Sequence, residues 1–357
     1  VKGGAALAFG NNKVFAFKGN NTREFYIYSY ATNSWQEGKP LPVGEKGKNV
    51  KDGGALAFAD TYNLLFAIKG NKTKEFYAYN PELDSWERKK DIPGKKGAGG
   101  GSGLIYLSLS SDTNYIILLK GNTKEFYCYF IEKDSWFSLK ELPGEKKFKK
   151  GSALTTDNRY VYILKGSTNE FFVYDIRKDS FEKKKDLPFI GRSLKKKKAK
   201  DGAALACDGE RVYAFKGGNS DEFWAYDIAN DEWFELEPIP LVPNNKKVKS
   251  GGALCYDKVN KIVYAFKGSN TYEFWRYLPR KTFLNQAKKE INSSLNSEKL
   301  STISKKPKEL KIYNLLGNLI YQKKGDFKIP KLRKGIYLLK LKYEGYEINK
   351  KIFIIKD

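Results

Sequence analysis

The chain has 357 residues, with 66 Lys and Arg against 41 Asp and Glu, a formal net charge of +25, and neither histidine nor methionine. Without histidine, Ser-His-Asp and Cys-His catalysis and His-ligated zinc or copper are excluded. Three cysteines, Cys128, Cys207 and Cys255, are odd in number and share no CxxC spacing, so buried thiols are expected rather than a disulfide framework or a zinc site.

From the first residue onward a pattern recurs six times: a Lys-Gly pair, then Glu-Phe a few residues later. The pairs are Lys18 and Glu24, Lys69 and Glu75, Lys120 and Glu125, Lys165 and Glu170, Lys216 and Glu222, and Lys267 and Glu273, with steps of 51, 51, 45, 51 and 51 residues between lysines. That period suits a four-stranded unit and is too long for helical or leucine-rich repeats. The second unit shows the strands best: Gly53–Phe58, Leu64–Ile68, Glu75–Tyr79 and a short strand around Asp84-Ser85-Trp86. Each is rich in β-branched or aromatic residues and bounded by Asn, Gly, Asp or Pro, and no window before residue 284 holds a helical apolar period. Small four-stranded sheets bury their faces by stacking, and a ring of six hides most strand edges, so a six-bladed β-propeller over residues 1–283 is expected, with the Gly53-Gly54 type of strand innermost.

The wedge residues repeat in register. Seven residues after the third-strand tyrosines Tyr28, Tyr79, Tyr129, Tyr174 and Tyr226 stand Trp35, Trp86, Trp136, Phe181 and Trp233, whereas in the sixth unit Tyr277 is followed by Phe283 after six. Aromatics of this size bury roughly 150–250 Å² each and serve as packing between blades. The glycine-rich first strand, the second strand ending in a turn, and Tyr226-Asp227, Trp233 and Pro238 in order resemble the kelch repeat, with Lys replacing the first of the two glycines that usually end the second strand. The resemblance implies the propeller fold and leaves activity open, because that fold hosts enzymes and binding modules alike.

After Leu284 the composition turns to Asn, Ser and Lys, and residues 284–308 read as a solvated linker. Residues 309–357 then alternate apolar and polar: Ile312-Tyr313-Asn314 before Gly317, Lys334-Gly335-Ile336-Tyr337-Leu338, and a final apolar-basic strand from Lys350 to Lys356. The pattern predicts a small immunoglobulin-like β-sandwich of about five strands. In order and position these motifs are similar to the C-terminal sorting domain of type IX secretion cargo. That resemblance implies engagement of the type IX machinery and delivery to the outer-membrane surface or exterior of a Gram-negative-type bacterium. The missing methionine fits a chain in which Val1 is not a translation start and a signal peptide or other sequence precedes it. No run approaches the ~18 apolar residues of a transmembrane helix.

Two sets of charged residues compete as the site. The six Lys-Glu pairs face each other across hairpins and read as structural cross-strand pairs, worth about 0.2–1 kcal/mol each. A second set, Lys2, Lys51, Lys149, Lys200 and Lys249, precedes the first strands, and the loops before them add Lys46, Lys48, Lys146, Lys147, Lys195, Lys196, Lys197, Lys198, Lys246 and Lys247. These loops emerge on the face of the Lys-Gly turns, so one face is expected to be strongly positive, with a lysine-poor gap at Gly99-Gly100-Gly101. Such a face suits an anionic polysaccharide or another acidic surface. Nucleic acid is disfavoured, because only nine of the 66 basic residues are Arg and Lys supplies little bidentate base reading. The reading is a secreted or surface binding propeller with no cofactor, metal or catalytic residue. The competing reading is a carbohydrate-active hydrolase, lyase or epimerase that uses propeller carboxylates.

Overall fold

Turn chemistry sets each sheet. Between the first two strands of the first unit, Asn11 and Asn12 take φ values of 46° and 55°, the two-residue turn whose twist matches paired strands. The turns before the fourth strands place Asn33, Asp84, Asp134, Asp179 and Asp231 at positive φ, a conformation that short polar side chains tolerate. The result, in a computed structural model that describes residues 1–279, 308–314, 319–325, 335–342 and 347–354, is a six-bladed propeller followed by a separate unit.

The first blade pairs Ala6–Gly10, Lys13–Phe17, Phe25–Ser29 and Ser34–Glu37 in sequence order, antiparallel throughout. The next four blades repeat this order. The sixth has three strands among the described residues, Ala253–Asp257, Ile262–Phe266 and Phe274–Tyr277. Phe283 and residues 284–307 of the expected linker 284–308 lie outside the described residues. The only helical elements described are the single 3₁₀ turns Asp60–Tyr62 and Ile131–Lys133.

The first strands touch one another in a closed circle, the sixth against the first. Glycine makes that circle possible. Gly4 has φ +86°, and a Cβ there would lie 2.2 Å from the Lys51 carbonyl oxygen. Gly251, φ +88°, would meet the Lys2 carbonyl at 2.4 Å. Only a residue without a side chain lets neighbouring backbones approach so closely in that conformation.

Farther out, the Phe of each Glu-Phe lodges against the next blade. Phe25 is 4.8 Å from Tyr79 and 5.1 Å from Trp86, Phe76 is 4.9 Å from both Tyr129 and Trp136, and Phe274 closes the ring at 5.0 Å from Tyr28 and 4.8 Å from Trp35. A polar staple accompanies this packing. Asp134 accepts hydrogen bonds from the Tyr129 hydroxyl at 2.6 Å and from the Lys90 N–H of the preceding blade at 3.0 Å, while the Trp136 indole donates to the Lys90 carbonyl at 2.9 Å. Asp84 with Trp86 grips Lys39, and Asp231 with Trp233 grips Lys185, in the same way. At the fourth blade Phe181 has no indole, so Asp179 alone holds Lys140.

The loops between blades are pinned by buried apolar residues that exchange main-chain hydrogen bonds with the preceding Lys-Gly turn. Val50 does so with Asn21 and Thr22, Val248 with Asn219 and Ser220. At the closing junction Val1 takes this place, donating to the Thr271 carbonyl at 2.7 Å and accepting from Asn270 N–H.

In the C-terminal unit, Leu319–Lys324, Glu309–Asn314, Gly335–Lys342 and Glu347–Ile354 form one antiparallel four-stranded sheet in that spatial order, with Leu310 and Ile312 buried. The described residues thus give a single four-stranded sheet, and no second sheet of the expected sandwich is among them; the segments between the strands lie outside the described residues.

Replacing Asp134 by Ala removes the acceptor of one bond that joins blades, from the Lys90 N–H, and of one within its own blade, from the Tyr129 hydroxyl, and bonds to a charged group are worth ~1.5–3 kcal/mol. Urea unfolding followed by tryptophan fluorescence should show a loss of that order. An unchanged midpoint would mean that the staple does not hold the blades together.

Candidate functional site

Every Lys-Glu pair is made. Lys18–Glu24 lies at 2.7 Å, Lys69–Glu75 at 2.5 Å, Lys120–Glu125 at 2.6 Å, Lys165–Glu170 at 3.1 Å and Lys216–Glu222 at 2.5 Å, and Lys267 contacts Glu273 as closely. Hairpin spacing brings the side chains together, and the loop from the preceding blade covers them: Lys69 Nζ donates to the Val43 carbonyl and Lys120 Nζ to that of Pro93. An aromatic two residues after the glutamate completes the set. Tyr77, Tyr127, Phe172, Trp224 and Trp275 receive the ammonium over their rings at 4.7–5.9 Å, and the Trp224 and Trp275 indoles donate to Glu222 and Glu273. None of these twelve charged residues lines either axial cavity.

Burial separates the pairs. Side chains of Lys69 and Glu75 are 0% and 3% exposed, those of Lys18 and Glu24 23% and 37%. The hydrogen bond from Lys18 holds the Glu24 carboxyl below the usual range. Burial alone would raise Glu75, but the hydrogen bond and charge of Lys69 outweigh it and leave that carboxyl depressed too; Glu273 behaves likewise beside Lys267. Desolvation in turn draws the Lys69 and Lys216 ammonium groups below their ordinary value, against the pull of their glutamates.

The five rim lysines occupy equivalent places, each just after a buried loop anchor or Val1. Backbones of Lys2, Lys51, Lys149, Lys200 and Lys249 pack against the positive-φ glycine of the preceding blade, and all five side chains are exposed. Gly99 fills the sixth place. The loop before it is not lysine-poor, however, since Lys95 and Lys96 stand exposed there. Lys247 is less free than its neighbours, being 3.1 Å from Asp221, and Lys48 donates to the Asn71 carbonyl.

The axial opening on this face is built by the next residue in each blade, which the sequence reading did not single out: Gly3, Asp52, Gly100, Lys150, Asp201 and Ser250. Lys150 crosses over Gly100, where a Cβ would meet its Cγ at 2.6 Å, and reaches Asp52 at 2.6 Å and Asp201 at 3.8 Å. The hydrogen bond to Asp52 raises the Lys150 pKa. A cavity of only about 90 Å³ remains. The plug was legible in principle, because a Lys and two Asp share one repeat position among Gly and Ser.

At the other end of the axis the channel opens into a cavity of about 350 Å³, lined by the ends of the first strands and the turns that follow. Its carboxylates are held. Asp157 accepts from the Arg159 and Tyr160 N–H groups and from the Tyr162 hydroxyl, and Asp208 from the Glu210 and Arg211 N–H groups and from the Tyr213 hydroxyl. Asp60 pairs with Lys258 at 2.8 Å. Half-buried Cys207 and buried Cys255 line this cavity, and the three cysteines are free thiols. Among the described residues no group of three His, Cys, Asp or Glu side chains is placed to hold a metal.

Residues 285–356 match the family model of the secretion system C-terminal sorting domain. The chain therefore carries a type IX sorting tail, which engages that secretion machinery and sends the propeller to the cell surface or the extracellular space. The match begins within the stretch read as a linker. No curated protein matches the chain. No described helix is long and apolar enough to cross a membrane.

Lys69→Met leaves a nearly buried carboxylate without its cation and should cost ~3–5 kcal/mol in urea unfolding, whereas Lys18→Met, at a partly exposed pair, should cost at most ~1 kcal/mol. Equal losses would contradict the ranking by burial. For pH the sign follows from the depressed glutamates. Their folded pKa lies below the unfolded value of 4.5, so their contribution is complete above 4.5 and is lost as pH falls through the folded values. The urea midpoint should hold from pH 7 to about 4.5 and decline below it; a midpoint that rises on acidification would overturn this account.

Proposed function

We propose that the exported propeller is a non-catalytic binding module whose lysine-rich face takes an acidic partner, an anionic polysaccharide above all. The observation that carries this reading is the partition of its lysines. Those of the Lys-Gly turns are neutralised by their glutamates, and Lys150 by two aspartates, whereas Lys2, Lys51, Lys149, Lys200 and Lys249 are exposed at one end of the ring together with Lys46, Lys95, Lys96, Lys146, Lys147, Lys195, Lys196, Lys198 and Lys246. Charges gathered around one opening add their fields and attract a polyanion at long range. Because Lys150 reaches across the axial opening and only about 90 Å³ remains there, the partner lies across the rim rather than entering it.

The commitment of the repeated glutamates supports binding over hydrolysis. A glycosidase needs one carboxylic acid with a raised pKa beside a second carboxylate. Glu24, Glu75 and Glu273 are depressed and tied to lysines, so they suit neither role.

Lys51, Lys200 and Lys249 replaced together by Gln should elute earlier from a heparin-like matrix. The log–log salt slope should fall by roughly one for each lysine engaged. Thermal unfolding should stay nearly the same, because exposed lysines contribute little to stability. Unaltered retention would sink the assignment of the rim as the polyanion site.

A further inference from the structure

The propeller is most regular where it holds itself together and least regular at the 350 Å³ cavity. In all six blades the first strand carries a leucine at one register position: Leu7, Leu56, Leu104, Leu154, Leu205 and Leu254, all buried and all lining that cavity. Two residues farther on the repeat breaks into two arcs. Four consecutive blades, the sixth, first, second and third, place Tyr256, Phe9, Phe58 and Tyr106 there, and the remaining two place Thr156 and Cys207. The polar arc is extended by Thr155, Asp157, Asn158 and Asp208, each of which also lines the cavity. These aromatics also pack between blades: Phe58 is buried and stacks on Phe15 of the first blade at 5.3 Å, and Phe9, Tyr106 and Tyr256 lie half-buried against the blade cores, so the cavity is lined by what that packing leaves uncovered.

Within the polar arc the side chains of exposed Asn158 and buried Thr155 make no hydrogen bond among the described residues. Thr155 is 8% exposed and its side chain makes no hydrogen bond, although its neighbour Thr156 donates to the Tyr160 carbonyl and Asp157 is held by three donors. Its hydroxyl is open to the cavity it lines, and a polar group at a cavity wall is satisfied by whatever fills the cavity. On the aromatic side, Lys258 of the sixth blade reaches Asp60 of the second at 2.8 Å. Lys258 is thereby neutralised, and the fixed Asp157 and Asp208 leave the cavity inhospitable to an anion.

We propose that this cavity binds one unit of a neutral sugar, its apolar face against the aromatic arc and its hydroxyls on Thr155, Asn158, Asp157 and Asp208. Sugars present this combination of an apolar face and a polar edge, and the volume lies at the low end of the ~300–1,000 Å³ typical of small-ligand pockets. The site faces away from the lysine rim and does not depend on the rim's binding a polyanion.

Saturation-transfer NMR on the full chain with a panel of neutral pentoses, hexoses and N-acetylhexosamines tests it, with tetramethylammonium as the probe for a cation. At least one sugar should receive saturation. Thr155→Val, which keeps shape and removes only the unpartnered hydroxyl, should weaken that sugar at least tenfold in titration while leaving thermal unfolding unchanged, and Asn158→Ala should weaken it further. The triple lysine variant should retain the sugar signal in full. Silence from every sugar, undiminished binding by the Thr155→Val and Asn158→Ala double variant, or saturation of tetramethylammonium alone would overturn the proposal.

Discussion

Each blade lodges one phenylalanine against the third-strand tyrosine of its neighbour, and in five of the six, among the described residues, against the neighbour's large aromatic too; the rest of the propeller depends on that contact. It fixes the relation between successive sheets, so the same relation repeated brings Phe274 of the sixth blade onto Tyr28 and Trp35 of the first. Around it the aspartate and indole grip the exit of the preceding blade, and at the axis positive-φ glycines let the inner strands meet. The hydrophobic contact supplies most of the attraction, while the hydrogen bonds select one geometry. The Glu-Phe pair therefore serves two purposes at once: its phenylalanine joins blades, and its glutamate holds the lysine beneath the connecting loop.

That double use explains how a chain with so many lysines presents its charge on selected surfaces. Six ammonium groups are drawn inside by spacing alone and neutralised there, with aromatic rings over five of them. A seventh, Lys150, reaches across the axial opening to two aspartates. The rim lysines have backbones fixed against the blades, while their side chains are exposed and free to meet a partner's charge. The opposite mouth has fixed carboxylates and little mobile charge, so the two ends of one axis suit ligands of different kinds.

Much of the fold was legible in the sequence because repetition turns weak local signals into strong ones: six occurrences of Lys-Gly and Glu-Phe establish the blade count, and the hairpin spacing makes the Lys69–Glu75 type of pair nearly unavoidable. What escaped the sequence was chiefly whatever joins residues far apart. Asp134 reads as an ordinary turn residue, and its bond to the Lys90 N–H appears only when blades are stacked. Lys150 was hidden beside Lys149, since one residue of register decides whether a lysine faces solvent or crosses the pore. The aromatic and polar arcs went unnoticed for a similar reason. Tyr256, Phe9, Phe58 and Tyr106 are scattered along the chain and become neighbours only when the ring closes between the sixth blade and the first.

Hydrogen–deuterium exchange of the full chain in the presence of a heparin-like polyanion tests most directly where an acidic partner binds. The account predicts slowed exchange in peptides covering 46–51, 146–150, 195–200 and 246–249, with no change at 154–158 and 205–209, where the opposite mouth lies. Protection confined to that opposite mouth, or binding without protection of any rim loop, would contradict the division of the two faces.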